Sequence, residues 1–229
     1  MQAGNQNRNR QWPVQIQCMD AFSLKCIAIL SMLLDHTGAV LFPMEIWMRC
    51  LGRLAFPIFC FLIVEGFFHT HDIYRYMIRL GIFALLSEIP FDLAFQGVFL
   101  ESEHQNVFFT LLIGIGMMHL LSRSQEWPVK AVILLLAMWL AVIVRSDYHF
   151  RGILLIFVFY IFRKSRLLSV AAGGCWNFLY QGTIQKFGIL SMFPIVLYNG
   201  KRGKSMKYFF YVFYPAHLLI LYGISRMTG

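Results

Sequence analysis

Polar residues divide this chain into nine runs in which most side chains are apolar. The runs cover residues 22–42, 52–69, 77–96, 106–121, 129–144, 152–162, 167–180, 184–199 and 208–225. They are continuous and rich in Leu, Ile, Phe and Met, whereas the strands of a membrane β-barrel alternate apolar and polar positions. The pattern therefore predicts an all-α, polytopic membrane bundle of about nine (8–10) transmembrane helices.

Two features of the pattern concern domain organisation. Residues 1–17 are polar and lack the apolar core of a signal peptide, so we expect a mobile tail there. Residues 18–229 are expected to form a single transmembrane helical domain. A bilayer core needs about 20 helical residues, so the short runs between residues 150 and 180 leave open whether they span it fully.

Composition and charge agree with a protein of the lipid bilayer. Of the 229 residues, 59% are hydrophobic and 14% are charged, and the net charge is +9. If the N-terminus lies in the cytoplasm, most of the 20 Lys and Arg residues fall on cytoplasmic loops, as the positive-inside rule expects. This predicts an N-in topology. The basic loops then meet anionic lipid heads, so the positive charge implies no nucleic-acid partner.

A set of polar side chains interrupts the first four predicted helices at a similar depth. We call it the outer polar set: Asp35, His36, Arg53, Glu88, Asp92 and Asn106. An ionised side chain at a helix centre costs about 2.5–3.5 kcal/mol on insertion, so such groups are functional candidates. Glu88 and Asp92 are four residues apart and share a helix face. The set predicts a proton-handling or cation-binding site, with mutual charge neutralisation as the structural alternative.

Other polar residues are less specific. Glu65 lies in the inner half of the second helix, at the depth of Lys25, with which it can pair. The five cysteines are scattered and form no C-x-x-C motif. His69 and His71 point to different faces of a helix. We therefore predict no metal site.

Five stretches of the sequence together resemble the TraX family: LKCIAILSMLLDHTGAVLFP, LGRLAFPIFCFLIVEGFFHT, YMIRLGIFALLSEIPFDLAF, QNVFFTLLIGIG and FYPAHLLIL. The resemblance covers about residues 24–222. TraX proteins are associated with N-terminal acetylation of conjugative pilin. They are similar to a wider group of membrane acyltransferases that includes acyltransferase family 3 and the lysosomal heparan-sulfate acetyltransferase. The resemblance implies a multi-pass protein of the bacterial cytoplasmic (inner) membrane.

The resemblance also implies an acyl donor and residues that bind it. The wider group often has a basic residue in the first helix and a histidine eleven positions later, as Lys25 and His36 stand here. Lysine replaces the usual arginine and lacks its bidentate grip on phosphate. Glu65 precedes a Gly-Phe pair where the group has a small-Gly-Phe element, and Arg75 and Arg79 follow the second helix. These four residues, Lys25, Glu65, Arg75 and Arg79, are the expected contacts for acetyl-CoA.

The expected reaction moves an acetyl group from cytoplasmic acetyl-CoA to an acceptor at the outer face. His36 acts either as the general base or as a transient acyl carrier. Asp35 or another carboxylate of the outer polar set orients its imidazole, and Arg53 or Asn106 stabilises the oxyanion. The acceptor stays open between a pilin-like peptide, a surface glycan and a small molecule.

Two other functions use the same residues differently. A proton- or cation-coupled transporter of small solutes would use the intramembrane acids and His36, and would need no acetyl-CoA. A structural assembly factor would leave the buried ionisable groups without a role.

Overall fold

The computed structural model describes residues 17–179 and 184–228, and within these ranges the chain is helical with no β-strand. The helices, in chain order, are α1 (Ala21–Val40), α2 (Ile46–Gly52), α3 (Ala55–His69), α4 (Ile73–Phe95), α5 (Val107–Arg123), α6 (Trp127–Ile143), α7 (His149–Phe162), α8 (Arg166–Leu179), a 3₁₀ helix (Gln185–Ser191), α9 (Met192–Val196) and α10 (Lys207–Thr228). The expected N-terminal tail lies outside the described residues, apart from Gln17.

Three stretches are long and apolar enough to cross a membrane: Ala21–Val40, Ile46–His69 and Tyr208–Met227. Helices α5, α6 and α7 are apolar but shorter. The outer surface of α6 carries large apolar side chains, among them Leu135 and Trp139, each 62% exposed. Such a surface is stable against lipid and unfavourable against water. The prediction of an all-helical membrane protein is confirmed.

Two predicted segments differ from the structure. The run at 52–69 forms α3 only from Ala55, and the residues before it form the separate short helix α2. The run at 184–199 is not one α-helix, because it consists of the 3₁₀ helix and the five-residue α9. Gly188 and Pro194 lie within this run, and both residue types disfavour a continuous α-helix.

Polar side chains define where three of the long helices begin. The carboxylate of Asp20 accepts a hydrogen bond from the Ser23 backbone N–H at 2.8 Å, and Asp72 does the same for Arg75 at 2.9 Å. These hydrogen bonds satisfy amide groups that a helix start leaves free. The bonds from Ser23 also lower the pKa of Asp20, which lies just outside α1. Asn106 caps α5 in the same way.

Backbone hydrogen bonds between loops and helix ends mark the two ends of the bundle. At one end, the Met19 backbone N–H donates to the Leu197 carbonyl at 2.9 Å, so the start of α1 lies beside the segment after α9. We call this the basic end, because Lys25, Arg75, Arg79, Arg163 and Arg202 lie there. At the opposite end, the Asp147 N–H donates to the Gln105 carbonyl at 2.8 Å and joins the α4–α5 and α6–α7 loops.

The core lies where α1, α3, α5 and α7 pack against one another. Leu24, Ile58, Ile115 and Ile156, one from each helix, have no exposed surface. Within a membrane such packing stabilises through van der Waals contact rather than through removal of water. Helix α10 lies against α4 and α1 and completes the wall around the candidate site.

Candidate functional site

Asp35 anchors α1 to the turn between α2 and α3. Its carboxylate forms an ion pair with Arg53, and its second oxygen lies 3.0 Å from Nε of Arg49. Gly52 allows this close approach, because a Cβ there would lie 2.2 Å from Cβ of Asp35. Asp35 is 8% exposed, so the two arginines compensate a charge held away from water.

Arg53 belongs to this anchor and to a wider contact. Its guanidinium lies 3.5 Å from the Tyr148 hydroxyl and 3.4 Å from Oε1 of Gln185. It therefore links α1, the start of α7 and the 3₁₀ helix. Arg53 and Asp35 thus neutralise each other, in the way described by the structural alternative for the outer polar set, and the guanidinium faces Asp35 and not His36.

Glu88 and Asn106 form a second contact, between α4 and α5. The Asn106 backbone N–H donates to Oε1 of Glu88 at 2.9 Å, and its side-chain amide donates to the same oxygen. That amide also donates to the Ala84 carbonyl at 2.8 Å. Both residues are buried, with Asn106 fully so. The donors of Asn106 are thus already used in holding Glu88.

Asp92 lies one turn after Glu88 and binds the following loop. Its Oδ2 accepts from the Glu101 backbone N–H at 2.8 Å. Nearby, His104 Nε2 lies 3.6 Å from Oδ1 of Asp147. His104 lies in the loop before α5, and the Asp147 carboxylate raises its pKa above the usual value of 6.5. These carboxylates fasten loops at the end opposite the basic end.

His36 is separated from these carboxylates. Adjacent residues point about 100° apart on a helix, so Asp35 faces α2 while His36 faces α10. Nδ1 of His36 lies 2.7 Å from Nε2 of His217, and the two rings are nearly parallel, with an interplanar angle of 9° and centroids 4.9 Å apart. The expectation that a carboxylate of the outer polar set orients His36 is therefore corrected, because its ring partner is a histidine.

A cavity of about 610 Å³ opens near the basic end. Its lining includes all four residues expected to contact acetyl-CoA: Lys25, Glu65, Arg75 and Arg79. Arg202 adds a further cation. Among the cavity cations, Lys25 lies 5.5 Å from the Phe210 ring centroid and Arg79 lies 5.7 Å from that of Tyr76. The structure thus brings these predicted residues together around one space.

The ion pairs of the cavity differ from those that the sequence suggested, because Glu65 has a different partner. The sequence allowed Glu65 to pair with Lys25, but its Oε1 lies 3.0 Å from Nε of Arg163 at the end of α7. Asp72 pairs with Arg75 at 2.9 Å. Both acids of the cavity are therefore matched by arginines, while Lys25 faces an aromatic ring and no carboxylate among the described residues.

The cavity extends along α1 toward the histidine pair, although neither His36 nor His217 lines it. Met32, Phe108 and Tyr214 line it there. The Tyr214 ring lies 6.0 Å from the ring of His36 and 5.7 Å from that of His217, measured between centroids. One turn of α1 separates Met32 from His36. The cavity therefore extends from the cations of the basic end to Tyr214, which contacts both imidazoles.

Sequence reasoning missed His217 and Tyr214 as members of the site. The signal was present in the stretch FYPAHLLIL, where a histidine follows Pro215 in the last apolar helix. Spacing along the chain cannot show that this histidine meets His36, since 181 positions separate them. Among the described residues, no group of three or more His, Cys, Asp or Glu is placed to hold a metal ion.

The arrangement suits transfer chemistry that starts from an anionic donor. Cations at an opening bind phosphate groups, and an imidazole can take up and release a proton near neutral pH. The walls between the two are mostly aromatic and aliphatic, and polar interactions are stronger in such apolar surroundings than in water.

Comparison with known proteins agrees with the sequence motifs. The family model described as TraX protein matches residues 21–225. A protein of Dichelobacter nodosus named "Probable fimbrial assembly protein FimC, serogroup H1" is 29% identical over 88% of this chain and 93% of its own length. An uncharacterized protein of Rickettsia prowazekii is 42% identical over 20% of this chain and 18% of its own length. No solved structure matches significantly. The chain belongs to the TraX family.

Proposed function

We propose that this protein is a membrane-embedded O- or N-acetyltransferase that takes its acetyl group from acetyl-CoA. The observation that carries the proposal is the cavity, which runs from the cations of the basic end to Tyr214 beside His36. A donor held by its phosphates at one end of this cavity would extend toward an imidazole at the other.

The residues of the cavity fit such a donor. Lys25, Arg79 and Arg202 are available to phosphate groups, and Arg75 shares its charge with Asp72. Along α1, eleven residues separate Lys25 from His36, which corresponds to about 16 Å at 1.5 Å per residue. Bound acetyl-CoA would supply an activated thioester to this space. Phe108, Tyr211 and Tyr214 would keep water from it.

The chemistry assigned to His36 is proton transfer. Its imidazole takes the proton from the acceptor amine or hydroxyl as the acceptor forms a bond to the acyl carbon. The carbon–sulfur bond breaks, and the imidazolium returns the proton to the departing sulfur. A transient acetyl group on His36 is the alternative route.

The remaining residues of the outer polar set have a scaffolding role in this account. Asp35 with Arg53, and Glu88 with Asn106, use their polar atoms on each other. Asp92 fastens the loop at Glu101. We therefore assign oxyanion stabilisation to neither Arg53 nor Asn106.

We infer the orientation of the protein in the membrane from its charges, and the acceptor from the name of a relative. On the positive-inside rule we infer that the basic end lies in the cytoplasm, where acetyl-CoA is made, in a multi-pass protein of the bacterial inner membrane. The Dichelobacter relative is named for fimbrial assembly. A fimbrial or pilin-like peptide at the outer face is thus our first choice of acceptor, ahead of a surface glycan or a small molecule.

Binding of acetyl-CoA to the detergent-purified protein tests the proposal. We expect saturable binding that Arg79→Ala weakens about tenfold or more, since a hydrogen bond to a charged group is worth about 1.5–3 kcal/mol. His36→Ala should bind within about threefold of the wild type, because His36 is reserved for chemistry. Arg123→Ala is the matched control, because this exposed cation at the end of α5 does not line the cavity.

Absence of binding in folded wild-type protein would refute the acetyltransferase proposal. The ion-coupled transporter would then be the function to test. Equal loss of binding in Arg79→Ala and Arg123→Ala would show nonspecific attraction by surface charge and would contradict binding of acetyl-CoA in the cavity.

A further inference from the structure

The contact between His36 and His217 has a definite arrangement of hydrogens. His217 lies on α10, is 4% exposed, and presents Nε2 to Nδ1 of His36 at 2.7 Å. Its other ring nitrogen, Nδ1, lies 2.8 Å from the backbone carbonyl oxygen of Phe213. Three ring nitrogens and one carbonyl oxygen thus form a chain of two hydrogen bonds.

The carbonyl at the end of this chain sets the direction of both bonds. A carbonyl oxygen can only accept, so Nδ1 of His217 carries the hydrogen. A neutral imidazole has one donor and one acceptor nitrogen, so Nε2 of His217 accepts. Nδ1 of His36 therefore donates. The reverse arrangement would place two lone pairs 2.8 Å apart in a buried site, which is costly.

This assignment determines the state of the other nitrogen of the His36 ring, Nε2. When Nδ1 carries the hydrogen of a neutral imidazole, Nε2 has the free lone pair. No described residue bonds to Nε2 of His36. Its ring is held on other sides by the edges of Phe95 at 5.2 Å and Tyr214 at 6.0 Å between centroids.

We propose that His217 is a positioning residue that holds His36 in the tautomer whose Nε2 is the base. This inference rests on the proposed acetyl transfer and deepens it, since it names the atom that receives the acceptor's proton. When Nε2 takes that proton, the bond from Nδ1 to His217 becomes charge-assisted and stabilises the imidazolium. The proton leaves again from Nε2 to the departing sulfur, so His217 keeps its own hydrogen throughout.

The environment of His217 keeps this acceptor in place. Its ring is stacked on Phe213 at 5.0 Å with an interplanar angle of 15°, and Tyr214 meets it edge-on at 5.7 Å. Pro215 lies within the same turn of α10 and has no backbone N–H. Because these neighbours already fix the His217 ring, little conformational entropy is lost when it accepts the hydrogen bond from His36.

Paired substitutions at His217 separate positioning from simple packing. The amide oxygen of His217→Gln can accept from Nδ1 of His36, whereas His217→Leu fills similar space without an acceptor. We expect kcat for CoA release, with cell-envelope membranes as acceptor, to fall more than tenfold in His217→Leu and clearly less in His217→Gln. The KM for acetyl-CoA should stay within about twofold in both, since neither variant touches the basic end.

Nitrogen-15 NMR of histidine-labelled protein gives a readout that does not depend on activity. We expect the wild type to show His36 protonated on Nδ1, assigned by loss of the signal in His36→Gln. In His217→Leu this tautomer should lose its preference. Unfolding midpoints in detergent identify a variant that fails to fold, and the wild-type spectrum still decides the tautomer in that case.

The outcomes distinguish this inference from the proposed function. Equal kcat in the Leu and Gln variants, or a wild-type His36 protonated on Nε2, would overturn the positioning role while leaving acetyl-CoA binding intact. Failure of the wild type to bind acetyl-CoA would instead overturn the proposed function, whatever the tautomer.

Discussion

Gly52→Ala tests the close contact by which α2 meets α1. A Cβ at residue 52 would lie 2.2 Å from Cβ of Asp35 and 2.7 Å from its Cα. Nonbonded carbons prefer about 3.5–4.0 Å, so the two helices must separate by about 1.3 Å or more. One of the contacted atoms is backbone, so a rotamer change alone does not relieve the clash.

The expected cost follows from two opposing effects. Overpacking costs about 1–3 kcal/mol. Alanine offsets up to about 1 kcal/mol of this, because it is the better helix former. The displacement also moves Arg49 and Arg53, which flank residue 52, away from Asp35. Loss of one partner of a buried ion pair costs about 3–5 kcal/mol, which sets the upper limit. Overpacking less the helix gain leaves about 0–2 kcal/mol, and a partial weakening of the ion pair adds about 1 kcal/mol, so we expect a net loss of about 1–3 kcal/mol.

The assay is reversible unfolding in mixed detergent micelles, with Gly223→Ala as the matched control. Residue 223 lies within α10, and a Cβ there would have no neighbour within 4 Å. This variant should gain about 0.5–1 kcal/mol from helix propensity. If Gly52→Ala unfolds at the same denaturant concentration as Gly223→Ala, or at a higher one, the anchor of α1 by α2 is not as the structure shows.

Two further predictions concern the end opposite the basic end. Asn106→Ala should lower the free energy of unfolding by about 2–4 kcal/mol in the same assay, since it removes the α5 cap and leaves Glu88 without the side-chain donor; a loss below about 0.5 kcal/mol would contradict this. Because Asp147 raises the pKa of His104, protonated His104 stabilises the fold fully below about pH 6.5 and loses this effect as pH rises through its raised pKa. The wild type should thus lose stability relative to His104→Gln as pH rises through that window, and parallel pH profiles would show that His104 and Asp147 do not interact.

Which end of the bundle a residue lies at was predictable from the sequence for several residues. Lys25, Arg75 and Arg79 were expected together as contacts for one donor, an expectation that came from the family resemblance. The structure places all three on one cavity. A rise of 1.5 Å per residue makes depth a nearly local property of the chain.

Which neighbour a side chain meets was not predictable in the same way. Asp35 and His36 share a depth, yet a rotation of about 100° sends one to Arg53 and the other to His217. Glu65 similarly meets Arg163 of α7 rather than Lys25. These contacts depend on how distant helices pack side by side, and nothing in the local pattern of a single helix fixes that arrangement.

If the protein acetylates a component of the cell envelope with His36 as its base, as proposed, then acetylation of that component depends on His36. The most direct measurement feeds isotope-labelled acetate to cells that carry the wild type, His36→Gln or no copy of the protein, and measures labelled acetyl groups on envelope proteins and glycans by mass spectrometry. We expect at least one envelope component that is acetylated with the wild type and not in the other two strains. Identical acetylation in all three strains, with both proteins present at equal levels in the membrane, would contradict it.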